Sequence, residues 1–286
     1  MTVLGAANAK LGADPAPHSV SFTLGGETMT VTLPPPGAPY RESVFLVSLP
    51  KAGSTLLNKM MSQVASAAGL VSFNAPQELR KLGVKPNDTP DSLNALFLPK
   101  GYLYGGFRGL PGGTQLPSWA SGRTVVLVRD PRDMLVSLYF SEAYSHSPPG
   151  TGSGGALYEH FQKQREKAQA VPVDDYVKSH GAQYARIYGE MHRKIDAVEC
   201  KIYRYEDIIF QKKKWLVDMA AYLNIPFKER HVEVIAARND IVPDEEDRTQ
   251  HVRRVRPGDH QEKLRPDTIA ELNETFRTVL DRYGYS

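Results

Sequence analysis

The 286-residue sequence predicts an α/β fold: a doubly wound parallel sheet flanked by helices, with an N-terminal β-hairpin. Three observations carry this. Short apolar runs rich in branched and aromatic residues recur along the chain, as in strands buried on both faces. The first two are followed by helix signals, an apolar stripe after one and a capped start after the other, and that order belongs to open parallel sheets. Before the first such run, two segments instead alternate apolar and polar residues around a glycine pair.

In chain order, Val20 to Leu24 and Met29 to Leu33 flank Gly25-Gly26 and predict the hairpin, which Pro34-Pro35-Pro36-Gly37 closes with a stiff break. Ser43 to Leu49 (SVFLVSL) predicts a buried strand, and Leu56, Leu57, Met60, Met61, Val64 and Ala68 fall on one helical stripe behind it. Residues 70–122 predict loops, a short helix near Gln77 to Leu82 and a strand near Tyr102 to Phe107. Thr124 to Val128 (TVVLV) predicts the next buried strand; Asp130 then suits a helix cap and Pro131 a first helical position. Residues 145–155 are low-complexity. Ala182 to Ile195 predicts helix, Lys201 to Tyr205 a strand, Ile208 to Leu223 a helix, Asp244 to Arg256 a charged loop, and Asp267 to Arg282 a closing helix.

Composition narrows the class. Hydrophobic residues are 41% and charged residues 23%, as in ordinary globular proteins, and a net charge of +3 does not by itself mark a nucleic-acid binder. The single Cys200 excludes an internal disulfide and is expected to be a buried structural thiol. Met1 to Ala16 lacks the pattern of a secretory signal, and no window approaches the ~20 apolar residues of a membrane span. A cytoplasmic location without membrane partners is expected. Residues 1–17 are expected to be a flexible N-terminus, and 18–286 one domain.

The chemistry concentrates at strand ends. Pro50-Lys51-Ala52-Gly53-Ser54-Thr55 joins the first buried strand to its helix. A tight turn entering a helix presents free backbone N–H groups at the positive end of the helix dipole, and so cradles phosphate. Gly53 permits close approach, Ser54 and Thr55 add hydroxyls, and Lys51 adds charge. The spacing is not that of a Walker loop, whose lysine follows its second glycine. Arg129 ends strand 124–128, with Ser137 in the following helix; ligands of open parallel sheets sit beyond such strand ends. A basic run, His251 to Arg256 followed by Pro257-Gly258-Asp259, suits a loop folding over phosphate. No His/Cys cluster has zinc spacing, so no metal is expected.

Lys-x-Gly-Ser-Thr, then R-D-P-R-D-x-x-x-S, then Y-E-D, then R-R-x-x-x-G-D occur in one order between about Ser43 and Tyr285. This order resembles the sulfotransferases that use PAPS (3′-phosphoadenosine 5′-phosphosulfate). The resemblance implies a P-loop-like sulfotransferase fold and transfer of a sulfuryl group to a hydroxyl or amine of a small-molecule or carbohydrate acceptor, releasing 3′,5′-ADP. It implies that Lys51, Ala52, Gly53, Ser54, Thr55 and the Leu56 backbone hold the 5′ side of PAPS. Arg129 and Ser137 match residues on the 3′-phosphate, Tyr205 a nucleotide contact, and Arg253 and Arg254 the segment closing over the 3′-phosphate. Glu206 and Asp207 look structural.

The chain departs from the family pattern at three places. Leu56 stands where many cytosolic members have an adenine-stacking tryptophan, and Val255 where a glycine is usual. Gly109, in Arg108-Gly109-Leu110-Pro111, stands where they carry a catalytic histidine. By analogy with branches that use a glutamate after the first helix, Glu78 is the first candidate for the base, with His146 and Glu142 next; Lys51 is expected to stabilise the leaving group. The competing readings are a P-loop-type ATP-dependent kinase and a nucleotide-binding module without activity. The sequence does not specify an oligomeric state.

Overall fold

A computed structural model describes residues 17–84, 91–108, 123–146, 148, 155–250 and 252–285 of the chain. Gly109, nearly all of the expected flexible N-terminus and most of 145–155 lie outside the described residues.

The hairpin is formed by β1 (His18–Leu24) and β2 (Glu27–Leu33), paired antiparallel from His18↔Leu33 to Leu24↔Glu27. Val20, Phe22, Val31 and Leu33 turn one face into the core, while Ser19–Thr32 and Ser21–Thr30 pair hydroxyls at 2.8 Å on the other. This alternation is what a half-buried ribbon requires. The hairpin is tethered by His18 Nε2 to the Ala95 carbonyl at 2.9 Å.

The main sheet contains β3 (Val44–Ser48), β4 (Val71–Phe73), β5 (Tyr102–Phe107), β6 (Arg123–Val128) and β7 (Cys200–Arg204), in the order β4-β5-β3-β6-β7 and all parallel. Every residue of β3 is buried, the signature of a central strand covered on both faces. From β3 the chain first moves outward to β4 and β5, then crosses to β6 and β7 on the other side. The carboxyl end of β3 is therefore a topological switch point, where such sheets open a crevice for ligands.

Helix α1 (Ser54–Ala67) follows β3; α2 (Ala75–Lys81) follows β4; α3 (Pro131–Phe140) follows β6 and runs into a π-helical turn, Ser141–Ser145. Beyond it come α4 (Gly155–Gln169), α5 (Val173–Ile195), the single turn α6 (Tyr205–Ile208), α7 (Lys212–Tyr222), α8 (Glu229–Arg238), α9 (Asp259–Lys263), α10 (Pro266–Thr275) and α11 (Arg277–Tyr283). Helix α1 packs with α7 and α8, whereas α3 packs with α5, which in turn meets α10. Right-handed crossovers leaving β3 and β6 in opposite directions place α1 and α3 on opposite faces, so the sheet is doubly wound.

Several sequence expectations are adjusted. Tyr205 opens α6 rather than ending the strand, the helix expected over 208–223 starts only at Lys212, as α7, and the closing helix breaks at Phe276. Phe276 is almost fully buried, and its backbone leaves the helical region to keep the ring against Tyr188. Helix α5 begins nine residues earlier than expected, and β4, α4, α8 and α9 were not expected at all. Cys200 is half-buried on the edge strand, where burial pushes its thiol pKa up. No described helix is long and apolar enough to cross a membrane.

Candidate functional site

The turn between β3 and α1 is shaped by two residues with positive φ, Lys51 at 57° and Gly53 at 97°. Gly53 is required there twice over: its φ disfavours other residues, and a Cβ would stand 3.2 Å from the Tyr205 ring. Helix α1 starts without a side-chain cap and without an acidic residue in its first turn. Its first N–H groups therefore lack intrahelical partners and keep the positive end of the helix dipole. Among the described residues, the hydroxyls of Ser54 and Thr55 have no hydrogen-bond partner; Thr55 is exposed, and Ser54 and Leu56 are half-buried. Ala52 is buried and anchors the turn through its N–H to the Leu49 carbonyl at 3.2 Å.

Arg129 leaves the end of β6 and lies beneath this turn. Its Nη1 donates to the Lys51 carbonyl at 3.1 Å, and its guanidinium lies 4.6 Å from the centre of the Tyr205 ring. Burial would lower its pKa, but Tyr205, Asp133, Glu206 and Asp259 outweigh burial and raise it. Nε of Arg129 is buried with no hydrogen-bond partner. A buried, fixed cation with an unused donor beside an uncapped helix start is an anion receptor by its chemistry. Ser137 is half-buried two turns into α3. The first loop, Arg129 and Tyr205 are thus brought together.

The basic C-terminal segment joins them through Asp133. This fully buried carboxylate accepts from the Gly258 N–H at 2.7 Å, the His260 N–H at 2.9 Å and His260 Nδ1 at 2.6 Å. Burial opposes its ionisation, but the His260 hydrogen bonds and Arg129 hold its pKa low. Asp259, next in the loop, pairs with Arg253 and, at 3.2 Å, with Arg254. Arg253 also pairs with Glu246 and stacks 4.2 Å over Phe140; Arg254 reaches Glu262 at 2.8 Å. Both arginines therefore border the same region but are already engaged by carboxylates. Glu206 is structural: it accepts from the Asp130 N–H at 2.9 Å and the Tyr285 hydroxyl at 3.1 Å, tying α6 to the start of α3.

A second group of titratable residues acts on Lys51 through its charges. Burial, Arg108 and Arg129 push Lys51 down to about 8, against an opposing pull from Glu142. His146, the cap of the π-helical turn, is pushed down by burial, Lys51 and Arg108, again opposed by Glu142. Arg108 directly follows β5, whose Phe107 pairs with Val47 of β3, so it lies at the same sheet edge as the turn between β3 and α1. Burial and Arg80 lower its pKa. Glu142 accepts a 2.6 Å hydrogen bond from the Tyr176 hydroxyl of α5.

Glu78, the first candidate for a base, is placed differently. It is half-exposed on α2 and bonds Lys81 one turn on at 2.8 Å. Arg108, Tyr176 and Tyr184 were not singled out from sequence. Arg108 had a readable signal, its position at a parallel strand's carboxyl end; the two α5 tyrosines had none, because they reach the site from far along the chain. Among the described residues no group of three or more His, Cys, Asp or Glu could hold a metal ion.

The sulfotransferase domain family matches residues 119–284, more than half the chain. No curated protein matches the sequence. Among solved structures, a mouse sulfotransferase, SULT7A1, complexed with PAP, has 15% identity and a TM-score of 0.56, with 84% of each chain covered. A retinol dehydratase in complex with retinol and PAP has 14% identity and a TM-score of 0.48, covering 85% of this chain and 82% of its own. A sulfotransferase from Alicyclobacillus acidocaldarius has 15% identity and a TM-score of 0.34, covering 83% and 96%. At such identities the first of these speaks for the fold alone.

Proposed function

We propose, from the premise that this chain belongs to the sulfotransferase domain family, that it carries a sulfuryl group from PAPS to a hydroxyl or amine of a small-molecule or carbohydrate acceptor, and that residues 18–286 do so as one domain. The observation that carries the reading is Arg129. Its guanidinium is wedged between the Lys51 carbonyl and the Tyr205 ring, with Nε unused, so that three segments distant in sequence meet around one anion receptor.

PAPS would supply the activated sulfuryl group, and the residues present fit it. The uncapped start of α1, with Ser54 and Thr55, suits the 5′ side, and Arg129 with Ser137 suits the 3′-phosphate. Tyr205 packs close to Gly53, leaving no room there for a side chain. Arg253 and Arg254 reach a phosphate only by exchanging it for Glu246, Asp259 or Glu262. Lys51, at the mouth of the turn, places its charge where negative charge grows on the departing phosphate oxygen, and such preorganised charge favours the transition state over the ground state. Holding acceptor and donor in line contributes several kcal/mol more, on the order of 7 or above when the geometry is near attack.

The test is binding followed by turnover. Calorimetry with 3′,5′-ADP is expected to show saturable binding that Arg129→Ala weakens by at least about tenfold, the scale of one charge-assisted hydrogen bond. ATP with magnesium is expected not to compete. Labelled PAPS with a panel of phenols, alcohols, amines and sugars then reads transfer. Unchanged affinity in the arginine variant, or tighter binding of ATP with magnesium, overturns the assignment. Binding without any transfer would point to the inactive module instead.

A further inference from the structure

Resting on that reading, we infer that Glu142 is the catalytic base that takes the acceptor's proton, and that Tyr176 is the residue that positions it. The argument starts from the helix that carries it. Helix α3 leaves the anion receptor at Asp130, where the cap side chain accepts from the Arg132 N–H, and runs regularly to Phe140. Its last turn then widens into the π-helical segment Ser141–Ser145. π-turns inside α-helices are uncommon and recur at functional sites, because the extra residue re-aims the side chains that follow. Here the widened turn bears Glu142 and ends at His146, and the charge of each group is felt at or from Lys51: Glu142 favours the charged form of Lys51, and Lys51 disfavours that of His146.

Glu142 is held rather than free. Its Oε2 accepts from the Tyr176 hydroxyl at 2.6 Å. Tyr176 is itself fixed: it is buried, its ring meets Tyr139 edge-on at 5.3 Å and stacks on His180 at 4.0 Å, and His180 Nδ1 bonds the Tyr176 carbonyl. One oxygen of the carboxylate is thus used for orientation. Oε1 has no hydrogen-bond partner among the described residues and stays available as an acceptor. The charged and titratable groups around Glu142 and its neighbour His146 are Lys51 of the turn before α1, Arg108 just past β5, Arg165 of α4, which bonds the His146 carbonyl, and Tyr176 and Tyr184 of α5. Among these, Glu142 is the sole carboxylate. Among the described residues the ring of His146 is not held by a hydrogen bond as the Glu142 carboxylate is; burial, then Lys51 and Arg108, disfavour its charged form. Glu78 is engaged with Lys81 on another helix.

The step balances without a further reactant. The acceptor oxygen forms its bond to sulfur as its O–H bond breaks, and the proton passes to the Glu142 carboxylate. The bond from sulfur to the bridging oxygen breaks, and its electron pair leaves on the phosphate of 3′,5′-ADP, beside Lys51.

The test uses the full chain and needs no acceptor identity, because slow hydrolysis of labelled PAPS makes water the acceptor. Glu142→Gln is expected to lower kcat by at least about 100-fold and to remove the acidic limb of the pH profile, the scale of a lost general base. Affinity for 3′,5′-ADP by calorimetry is expected to stay within twofold, and Glu142→Asp to recover part of the rate. Tyr176→Phe, which removes one hydroxyl from a packed ring, is expected to lower kcat about tenfold while KM for PAPS and the melting temperature hold. The proposal is overturned if Glu142→Gln keeps the acidic limb, if His146→Gln removes it instead, or if Tyr176→Phe leaves kcat unchanged. Loss of 3′,5′-ADP binding by the unsubstituted protein would overturn the underlying nucleotide reading, a distinguishable result.

Discussion

Lys51 shows how much one side chain's surroundings decide. An exposed lysine stays charged to well above pH 10, but burial and two neighbouring arginines bring Lys51 to about 8. Its positive charge is therefore present below that value and lost above it. With PAPS as donor, kcat/KM is expected to fall as pH rises through about 8, and Lys51→Arg to move that fall to higher pH, since a guanidinium stays charged. Lys51→Ala is expected to retain the fold and lose roughly 10²–10³-fold in turnover, read from single-turnover rates. These residues could be singled out in the sequence because a turn entering a helix is local: Lys51, Gly53, Ser54 and Thr55 lie within one stretch of backbone. Arg129 was legible from its place at a strand's carboxyl end. Glu142 was named only by analogy, and its partner Tyr176 was not legible, since the two are 34 positions apart and meet where the turn after α3 packs near α5.

The start of α3 is the element on which the proposed nucleotide side of the site depends. Within five residues it supplies Arg129 to the receptor, caps itself with Asp130, binds that cap back through Arg132, and sends Asp133 to the 258–260 loop. Asp133→Ala leaves Arg129 and two backbone N–H groups without their carboxylate. It is expected to cost about 3–5 kcal/mol in urea unfolding, the scale for breaking a buried charged network. Affinity for 3′,5′-ADP is expected to fall with it, because the loop bearing Arg253 and Arg254 loses its anchor. The same element explains uneven legibility. Asp130 and Pro131 announce a helix start in plain sequence terms, whereas α4 presents charged and polar residues around most of its circumference and gives no stripe to read. The break between α10 and α11 was hidden because Ile269, Leu272, Phe276 and Val279 keep helical spacing straight through it.

At the scale of the molecule, the order of buried strands and helices was enough to predict a doubly wound sheet, since each β-to-α step alternates two periodicities. Strand order was not, because nothing local says that β5 lies between β4 and β3. One buried histidine sets an acid limit on the whole fold. His192 lies in α5 against Tyr283, with Nε2 unpartnered, and burial followed by Arg282 pushes it down to about 4 from an ordinary value of 6.5. Between those values the unfolded chain binds more protons than the folded one, so stability rises with pH. As pH falls from 6.5 towards 4 the melting temperature is expected to drop, and His192→Leu to flatten that slope, measured by thermal melts across the interval.

Asn58 has a mechanical consequence for both halves of the site. Its amide donates to the Ser54 carbonyl at the head of α1 at 2.7 Å, while its oxygen accepts from the Gly106 N–H of β5 at 2.9 Å. A methyl group at Gly105 would stand 1.9 Å from that oxygen, so the crossbar has no slack. The end of β5 that leads into Arg108 and the head of α1 are thus fastened to each other through one side chain, and Asn58→Ala cuts both fastenings at once.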